Sequence, residues 1–181
     1  MHKLLTTFTI SLAFFSANLL ANGASTQEMR IEIYQLVTNG IGAHLGYVLA
    51  KDSENGLELK THLTGLPPGP HGFHLHEHPS CAAKKKGKAG KMFPGLAAGG
   101  HYDPEETASH QGPEGLGHLG DLPVLNVNEQ GEATETLIAP RLKLSDLPGH
   151  ALMIHEKGDN YSDTPEKLGG GGSRIACGVA E

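Results

Sequence analysis

The chain has 181 residues, enough for one domain with a sizeable core, and its 38% hydrophobic and 19% charged content is typical of a globular rather than a disordered protein. Its formal net charge of −6 argues against nucleic acid as the main partner. Trp is absent, and the 25 Gly and 11 Pro residues favour turns and long loops over helices.

The N-terminal segment has the pattern of a secretory signal. His2 and Lys3 give a short positive start, and an apolar run follows at residues 4–20. The alternatives are a transmembrane anchor or a buried helix, but polar residues interrupt the run and it is short for a bilayer span. We predict a removed signal peptide at residues 1–23 and a mature domain at residues 24–181. Three small residues are candidate cleavage points: Ala21, Gly23 and Ala24.

The mature segment alternates short strand-like runs with turn signals such as Asn-Gly and Pro-Gly. Strands are predicted at residues 29–37, 42–50, 57–63, 72–76, 122–127, 132–138, 151–155 and 174–179. Two long stretches, 79–120 and 156–173, have no sustained periodicity, and loops this long inside a domain are usually functional or tied down. The pattern predicts an all-β sandwich or barrel of about eight strands with two long functional loops.

A pair of histidines lies one residue apart in the fourth predicted strand. Alternate side chains of a strand point to the same face, so His74 and His76 share one face while Phe73 and Leu75 can fill the core on the other. Two imidazoles in this geometry can bind one metal ion, although such a pair alone is a weak motif. We interpret His78 as a surface residue because the proline after it disturbs the strand.

The 12 histidines are clustered, which makes scattered surface positions the less attractive explanation for about half of them. Four side chains in or beside the first long loop form a plausible tetrahedral zinc set of three nitrogens and one oxygen: His101, His110, His118 and Asp121. A closed site of this kind is structural and would order a glycine-rich loop. His155 ends an apolar predicted strand, where a histidine is more often a buried core residue than a ligand.

Several separate motifs together resemble a known family. The segments GFHLHE, GGHYDP, GHLGDL, IHEKGDN and GSRIACG occur in an order similar to that of copper/zinc superoxide dismutases, over nearly the whole predicted mature chain. The leader, the lysine-rich loop, GDNYSD and GGGG resemble the bacterial periplasmic branch. The resemblance implies a Greek-key β-sandwich or barrel of antiparallel strands and a periplasmic location. It also implies a copper-centred disproportionation of superoxide to O₂ and H₂O₂, with a structural zinc joined to copper through a bridging imidazolate.

The resemblance also implies a role for each candidate residue. The copper ligands would be His74, His76, His101 and His155. The zinc ligands would be His101, His110, His118 and Asp121. His101 would bridge the metals and carry a proton, Arg174 would bind the anionic substrate, and Asp159 would orient one ligand of each metal.

The two cysteines, Cys81 and Cys177, resemble the family's disulfide pair. In an oxidising compartment a lone pair usually forms a disulfide, and one closing so long a loop would stabilise the fold by about 4–5 kcal/mol. The alternative, a thiolate metal site, is disfavoured because no CxxC spacing exists.

An anionic substrate poses an electrostatic problem, because the predicted mature chain has 13 basic and 20 acidic residues once Lys3 is removed from the 14 and 20 of the full chain. A local positive field would be needed to attract superoxide. Candidate sources of this field are Lys84, Lys85, Lys86, Lys88, Lys91 and Lys157. The alternative is that these lysines form a solvated surface that only aids solubility.

Two other functional classes compete with the dismutase interpretation. One is a non-catalytic periplasmic copper/zinc-binding protein, a buffer or chaperone, which would not need Arg174. The other is a zinc hydrolase, which would need an open zinc position and a general base. The complete ligand set together with Arg174 favours the enzyme, with superoxide as substrate, no nucleic-acid partner and no membrane contact after leader removal. The sequence leaves monomer and homodimer open.

Overall fold

A computed structural model describes residues 27–38, 40–86 and 90–181. The predicted signal peptide lies outside these residues. Within them the helical segments are three short 3₁₀ turns, Leu96–Ala98, Leu144–Asp146 and Leu168–Gly170. No helix in this part of the chain has the length and apolar character needed to cross a membrane.

The described residues contain 12 strands. In chain order they are β1 (Glu28–Val37), β2 (Gly40–Ser53), β3 (Gly56–Thr64), β4 (Gly69–His71), β5 (Phe73–His76), β6 (Lys84–Lys86), β7 (Lys91–Phe93), β8 (Leu125–Val127), β9 (Glu132–Ala133), β10 (Thr136–Ala139), β11 (Ala151–His155) and β12 (Arg174–Val179).

All eight predicted strands are found, and β11 and β12 have the predicted bounds. The strand predicted at 122–127 begins only at Leu125, because Pro123 has no N–H to continue a ladder. The strand predicted at 132–138 divides into β9 and β10, because Glu135 turns instead to Thr61, whose hydroxyl accepts its N–H at 3.1 Å. The first long loop also contains an unpredicted hairpin, β6–β7, whose lysine-rich strands lack apolar alternation.

Eight strands form one antiparallel sheet in the order β10-β3-β2-β1-β12-β11-β5, with β9 also paired to β3. Side chains from both ends of this order, Leu137 and Ala139 of β10 and Phe73 and Leu75 of β5, belong to one buried apolar cluster. The sheet therefore curls around one main core, and a second, smaller buried cluster contains both cysteines. β1 and β12, the first and last strands of the described residues, are neighbours in the sheet. This arrangement confirms the predicted all-β fold with two long loops.

Strand β5 lies at the edge of this sheet, and the first long loop covers its free side. Leu75 donates its N–H to the carbonyl of Gly120 at 2.9 Å and accepts the N–H of Tyr102 at 2.8 Å. A side chain at Gly120 would overlap the Leu75 carbonyl, so the close approach requires glycine. Isolated bridges pair His74 with Asp121 and His76 with His101. The loop is thereby folded onto the strand that carries the histidine pair.

A disulfide joins Cys81 in the first loop to Cys177 in β12, with a Cα–Cα distance of 5.7 Å. This confirms the predicted pairing, and neither cysteine of the chain is free. Such a bond is consistent with an oxidising compartment.

Replacing both cysteines, Cys81→Ser and Cys177→Ser, should lower the free energy of unfolding by up to about 4–5 kcal/mol, because the bond closes a loop of 96 residues. Guanidinium unfolding of the metal-free protein would measure this. Wild-type protein held in dithiothreitol serves as the matched control and should unfold with the variant. A difference below about 1 kcal/mol under oxidising conditions would contradict the expectation.

Candidate metal centre

Strands β5 and β11 position three of the candidate histidines. His74 and His76 are fully buried on the face of β5 opposite to Phe73 and Leu75, as the alternation predicts. His155 ends β11, where its N–H donates to the carbonyl of Gly72 at 2.8 Å. The sheet thus brings these imidazoles together beside the edge that the first loop covers.

Four buried imidazoles form the first group of potential ligands. One nitrogen from each of the four lies within 4.8 Å of the others: His74, His76, His101 and His155. The Nε2 atoms of His76 and His155 are 3.4 Å apart. These are the residues predicted to hold copper.

The hydrogen bonds of the opposite ring nitrogens determine which nitrogen of each imidazole is free. The Nδ1 atom of His76 donates to the Gly99 carbonyl at 3.1 Å, and that of His155 to the Gly172 carbonyl at 3.3 Å. His74 instead donates through Nε2 to a carboxylate, described below. The Nδ1 of His101 also has a partner, Asp121, at 2.9 Å. His76, His101 and His155 therefore offer Nε2 to this group, and His74 offers Nδ1.

The second group converges on one carboxylate oxygen. Oδ1 of Asp121 lies 2.9, 3.0 and 3.2 Å from the Nδ1 atoms of His101, His110 and His118, respectively. The set whose ligand atoms all lie within 4.8 Å of one another contains His74, His101, His110 and Asp121, but not His118. However, the Nε2 of His74 is already bound to a carboxylate and its Nδ1 belongs to the first group, so His118 completes the set. These are the residues predicted to hold zinc, and His101 belongs to both groups.

Two buried ring nitrogens have no hydrogen-bond partner, Nδ1 of His74 and Nδ1 of His110. The Nδ1 of His110 is 3.0 Å from Asp121 Oδ1, yet the geometry is not that of a hydrogen bond. Leaving such atoms unpaired costs free energy, about 1–3 kcal/mol each, which a metal ion would remove. One orphan lies in each group, and the donor sets fit the two metals: four imidazoles suit copper, and three imidazoles with a carboxylate suit zinc.

Asp159 links the two groups through its buried carboxylate, whose side chain is 1% exposed. Its Oδ2 accepts the Nε2–H of His74 at 2.7 Å, and its Oδ1 accepts the Nε2–H of His110 at 2.8 Å. Gly169 packs so closely against this pair that a side chain there would overlap both Asp159 and His110. The carboxylate thereby turns both orphan Nδ1 atoms toward the centre.

Burial keeps the first group of imidazoles neutral. It lowers the pKa of His155 to about 3, with the neighbouring His101 adding to the effect. Burial likewise lowers the pKa values of His74 and His76 well below the usual value, again with His101 as the next cause. Neutral imidazole is the form that binds a metal ion.

The second group behaves differently because it contains carboxylates. Burial lowers the pKa of His110, but the two carboxylates beside its ring, Asp121 and Asp159, outweigh it and raise that pKa to about 9. Burial raises the pKa of Asp121, but hydrogen bonds from the histidines around it hold that pKa well below its usual range. Without a metal, this group therefore holds a proton that a cation would displace.

A cleft of about 370 Å³ opens onto these groups, lined by His101, His155, Arg174, residues 166–168 and residues 170–172. Arg174 donates through Nη1 to the Gly95 carbonyl at 2.6 Å and through Nη2 to the Gly99 carbonyl at 2.5 Å. The Gly99 carbonyl is also the acceptor for His76. Arg174 is therefore fixed beside the first group, as predicted, with further N–H donors left for an anion.

Of the lysines predicted to attract the substrate, none that the structure describes lines the cleft, in contrast to Arg174. Lys84, Lys85, Lys86 and Lys91 lie exposed on the β6–β7 hairpin, and none of them lines the cleft. Lys157 is also exposed, and Lys88 lies outside the described residues. The cleft is lined instead by Lys167 and Glu166, which sequence reasoning missed because neither belongs to a motif.

The model of the copper/zinc superoxide dismutase family matches residues 45–180. The chain belongs to this family. It is 49% identical over 164 residues to the superoxide dismutase [Cu-Zn] of Brucella abortus, covering 90% of this chain and 94% of that protein.

Solved structures give the same relationship. The copper/zinc superoxide dismutase of Brucella abortus superposes with a TM-score of 0.82 at 50% identity, covering 86% of this chain and 100% of that one. The monomeric copper, zinc superoxide dismutase of Salmonella enterica superposes with a TM-score of 0.76 at 49% identity, with the same coverage.

The depressed histidine pKa values predict how the metal-free protein responds to acid. Below about pH 6.5, His74, His76, His101 and His155 take up protons when unfolded but not when folded, so the free energy of unfolding should fall from pH 7 to pH 5. Each such histidine adds up to about 1.4 kcal/mol per pH unit. The raised pKa of His110 acts in the opposite sense, but its contribution is complete below about pH 6.5 and does not offset the fall.

Guanidinium unfolding of chelator-treated protein at pH 5, 6 and 7 measures this dependence. The variant His155→Gln should show a shallower slope than the wild type. Equal stability at the three pH values would contradict the prediction.

Proposed function

We propose that the chain catalyses the disproportionation of superoxide, with copper and zinc held by the two groups of side chains. Copper would be bound by His74, His76, His101 and His155. Zinc would be bound by His101, His110, His118 and Asp121. The observation that carries this proposal is the double membership of His101, whose Nδ1 lies 2.9 Å from Asp121 while the same ring belongs to the four-imidazole group.

Bound copper supplies one-electron redox chemistry, and bound zinc supplies a fixed positive charge. The overall reaction converts two superoxide ions and two protons into one O₂ and one H₂O₂, so the site has to deliver protons as well as electrons. His101 is suited to hold one proton at Nε2, because its Nδ1 is committed to the second group and its ring lines the cleft. Asp159 supports this arrangement by fixing one imidazole of each group.

Arg174 binds the anion in this proposal. Two of its five N–H donors hold the carbonyls of Gly95 and Gly99, and the guanidinium remains charged at neutral pH. An anion beside the first group can accept hydrogen bonds from the remaining N–H groups of Arg174, which favours superoxide over neutral molecules of similar size.

The rival functions lack a supporting observation. A copper buffer or chaperone has no use for a fixed arginine in a cleft beside the metal ligands. A zinc hydrolase needs an open coordination position, whereas the second group already offers four ligands.

We also propose that residues 1–23 direct export to the periplasm and are then removed. The disulfide supports an oxidising destination. Superoxide met there would be made outside the cytoplasm, because an anion crosses an apolar bilayer poorly.

Pulse radiolysis of the copper- and zinc-loaded mature protein should give fast superoxide decay that a zinc-only preparation lacks. Arg174→Met should slow the decay by about tenfold or more, because one well-placed charged donor is worth roughly 1.5–3 kcal/mol. Arg174→Lys keeps the charge and should fall between the two. Absence of copper-dependent decay, with both metals shown to be bound, would replace the enzyme by the non-catalytic metal-binding protein.

The position of Lys167 predicts which charges steer the substrate. Lys167→Gln should lower the second-order rate constant by about two- to threefold and flatten its dependence on ionic strength, because the charge lines the cleft. Glu166→Gln is the matched control beside it and should raise the rate constant.

Neutralising Lys84, Lys85 and Lys86 together tests the predicted contribution of the hairpin. We expect the second-order rate constant to fall less for each charge removed than it does at Lys167, because these side chains do not line the cleft. An unchanged ionic-strength dependence in all three variants would rule out steering by these groups.

A further inference from the structure

We propose that Asp163 is a positioning residue that joins the candidate zinc loop to the rim of the cleft, so that retention of zinc and the binding of anions both depend on this one carboxylate. The proposal rests on the ligand assignment given above, and it gives a role to Asp163, the last residue of the GDNYSD segment.

The two oxygens of Asp163 bind the main chain of two different loops. Oδ2 accepts the backbone N–H of His110 at 2.9 Å, and Oδ1 accepts the backbone N–H of Leu168 at 3.1 Å. His110 is a candidate zinc ligand, and Leu168 follows Lys167 on the wall of the cleft. One side chain therefore connects a ligand of the second group to the residues that an incoming anion meets.

The rim segment has few other attachments. Residues 164–168 are all exposed, and no side-chain hydrogen bond or ion pair within the described residues holds Glu166 or Lys167. The segment closes on itself through Gly169, whose N–H donates to the Ser162 carbonyl at 3.0 Å. Gly169 also packs against the ring of His110. Within the described residues, the side-chain hydrogen bonds that connect residues 164–168 to the candidate zinc loop are those of Asp163, to His110 on one side and to Leu168 on the other.

Asp163 and Asp159 hold different parts of the same residue. Asp159 accepts the imidazole Nε2–H of His110, whereas Asp163 accepts its backbone N–H. The bond to Asp159 fixes the orientation of the imidazole ring, and the bond to Asp163 fixes the position of the main chain that carries it. Bonds to an ionised acceptor are roughly twice as strong as those between neutral groups, so the two acids together define the position of Nδ1.

Asp163→Ala should therefore change both sites at once. Zinc should leave the protein about tenfold faster, because a charged acceptor of the His110 main chain is lost. The dissociation constant for azide, a small anion used as a probe of the loaded copper site, should rise about twofold or more as the rim with Lys167 loses its position. Asp163→Asn keeps one carbonyl oxygen as acceptor and should give intermediate values for both.

The experiment measures zinc release to excess chelator, and azide binding through the visible absorption of copper, in the copper- and zinc-loaded protein. The control variant is Asp146→Ala, which removes a similar bond, from the Lys143 N–H at 2.8 Å, in a 3₁₀ turn apart from both groups. This control shows how far the loss of a comparable hydrogen bond elsewhere in the fold changes zinc release and azide binding.

Changes in both readouts for Asp163→Ala, with neither changed in Asp146→Ala, would support the proposal. Zinc release within twofold of the wild type, an unchanged azide constant, or equal changes in the control would overturn it. Wild-type protein that fails to retain zinc would overturn the ligand assignment itself. That outcome differs from one in which the wild type retains zinc and Asp163→Ala changes neither readout.

Discussion

The burial of eight polar side chains in one place is the constraint on which the rest of the structure depends. Six histidines and two aspartates are buried beside β5, and each needs a partner, because an unpaired buried polar group costs about 1–3 kcal/mol. Carbonyls and carboxylates satisfy one nitrogen of most rings. The free nitrogens of the first group face one small volume, and the nitrogens around Asp121 face another, so the need for partners inside the protein creates the two metal-binding groups.

The long loops follow from the same need. Two of the buried imidazoles, His76 and His155, have main-chain carbonyls as partners, and glycine allows the main chain to approach most closely. Gly99 offers its carbonyl to both His76 and Arg174, and Gly172 offers its carbonyl to His155. The glycine-rich loops are therefore part of the site, and their lack of periodicity reflects the irregular path needed to reach each ring.

Much of the site was predictable because its residues lie in short motifs. The alternation in β5 correctly separated His74 and His76 from the core side chains, and the order of the motifs identified the six histidines and two aspartates that the structure brings together. Lys167 lies outside the motifs, and Asp163 ends the GDNYSD segment without its role being evident. Neither role was predictable, because each residue contributes through the path of an aperiodic loop. The choice between Nδ1 and Nε2 in each ring likewise depends on tertiary hydrogen bonds. The late start of β8 is different, since Pro123 already marked it in the sequence.

The disulfide joins the strand that carries Arg174 to the loop whose carbonyls bind its guanidinium. Cys177 follows Arg174 on β12, while Cys81 leads into the segment whose carbonyls at Gly95 and Gly99 hold the guanidinium. The cytoplasm keeps thiols reduced, so a chain held there lacks this tie, whereas an oxidising space forms it. The thiol chemistry of the surroundings therefore sets when Arg174 becomes rigidly held in a newly made chain.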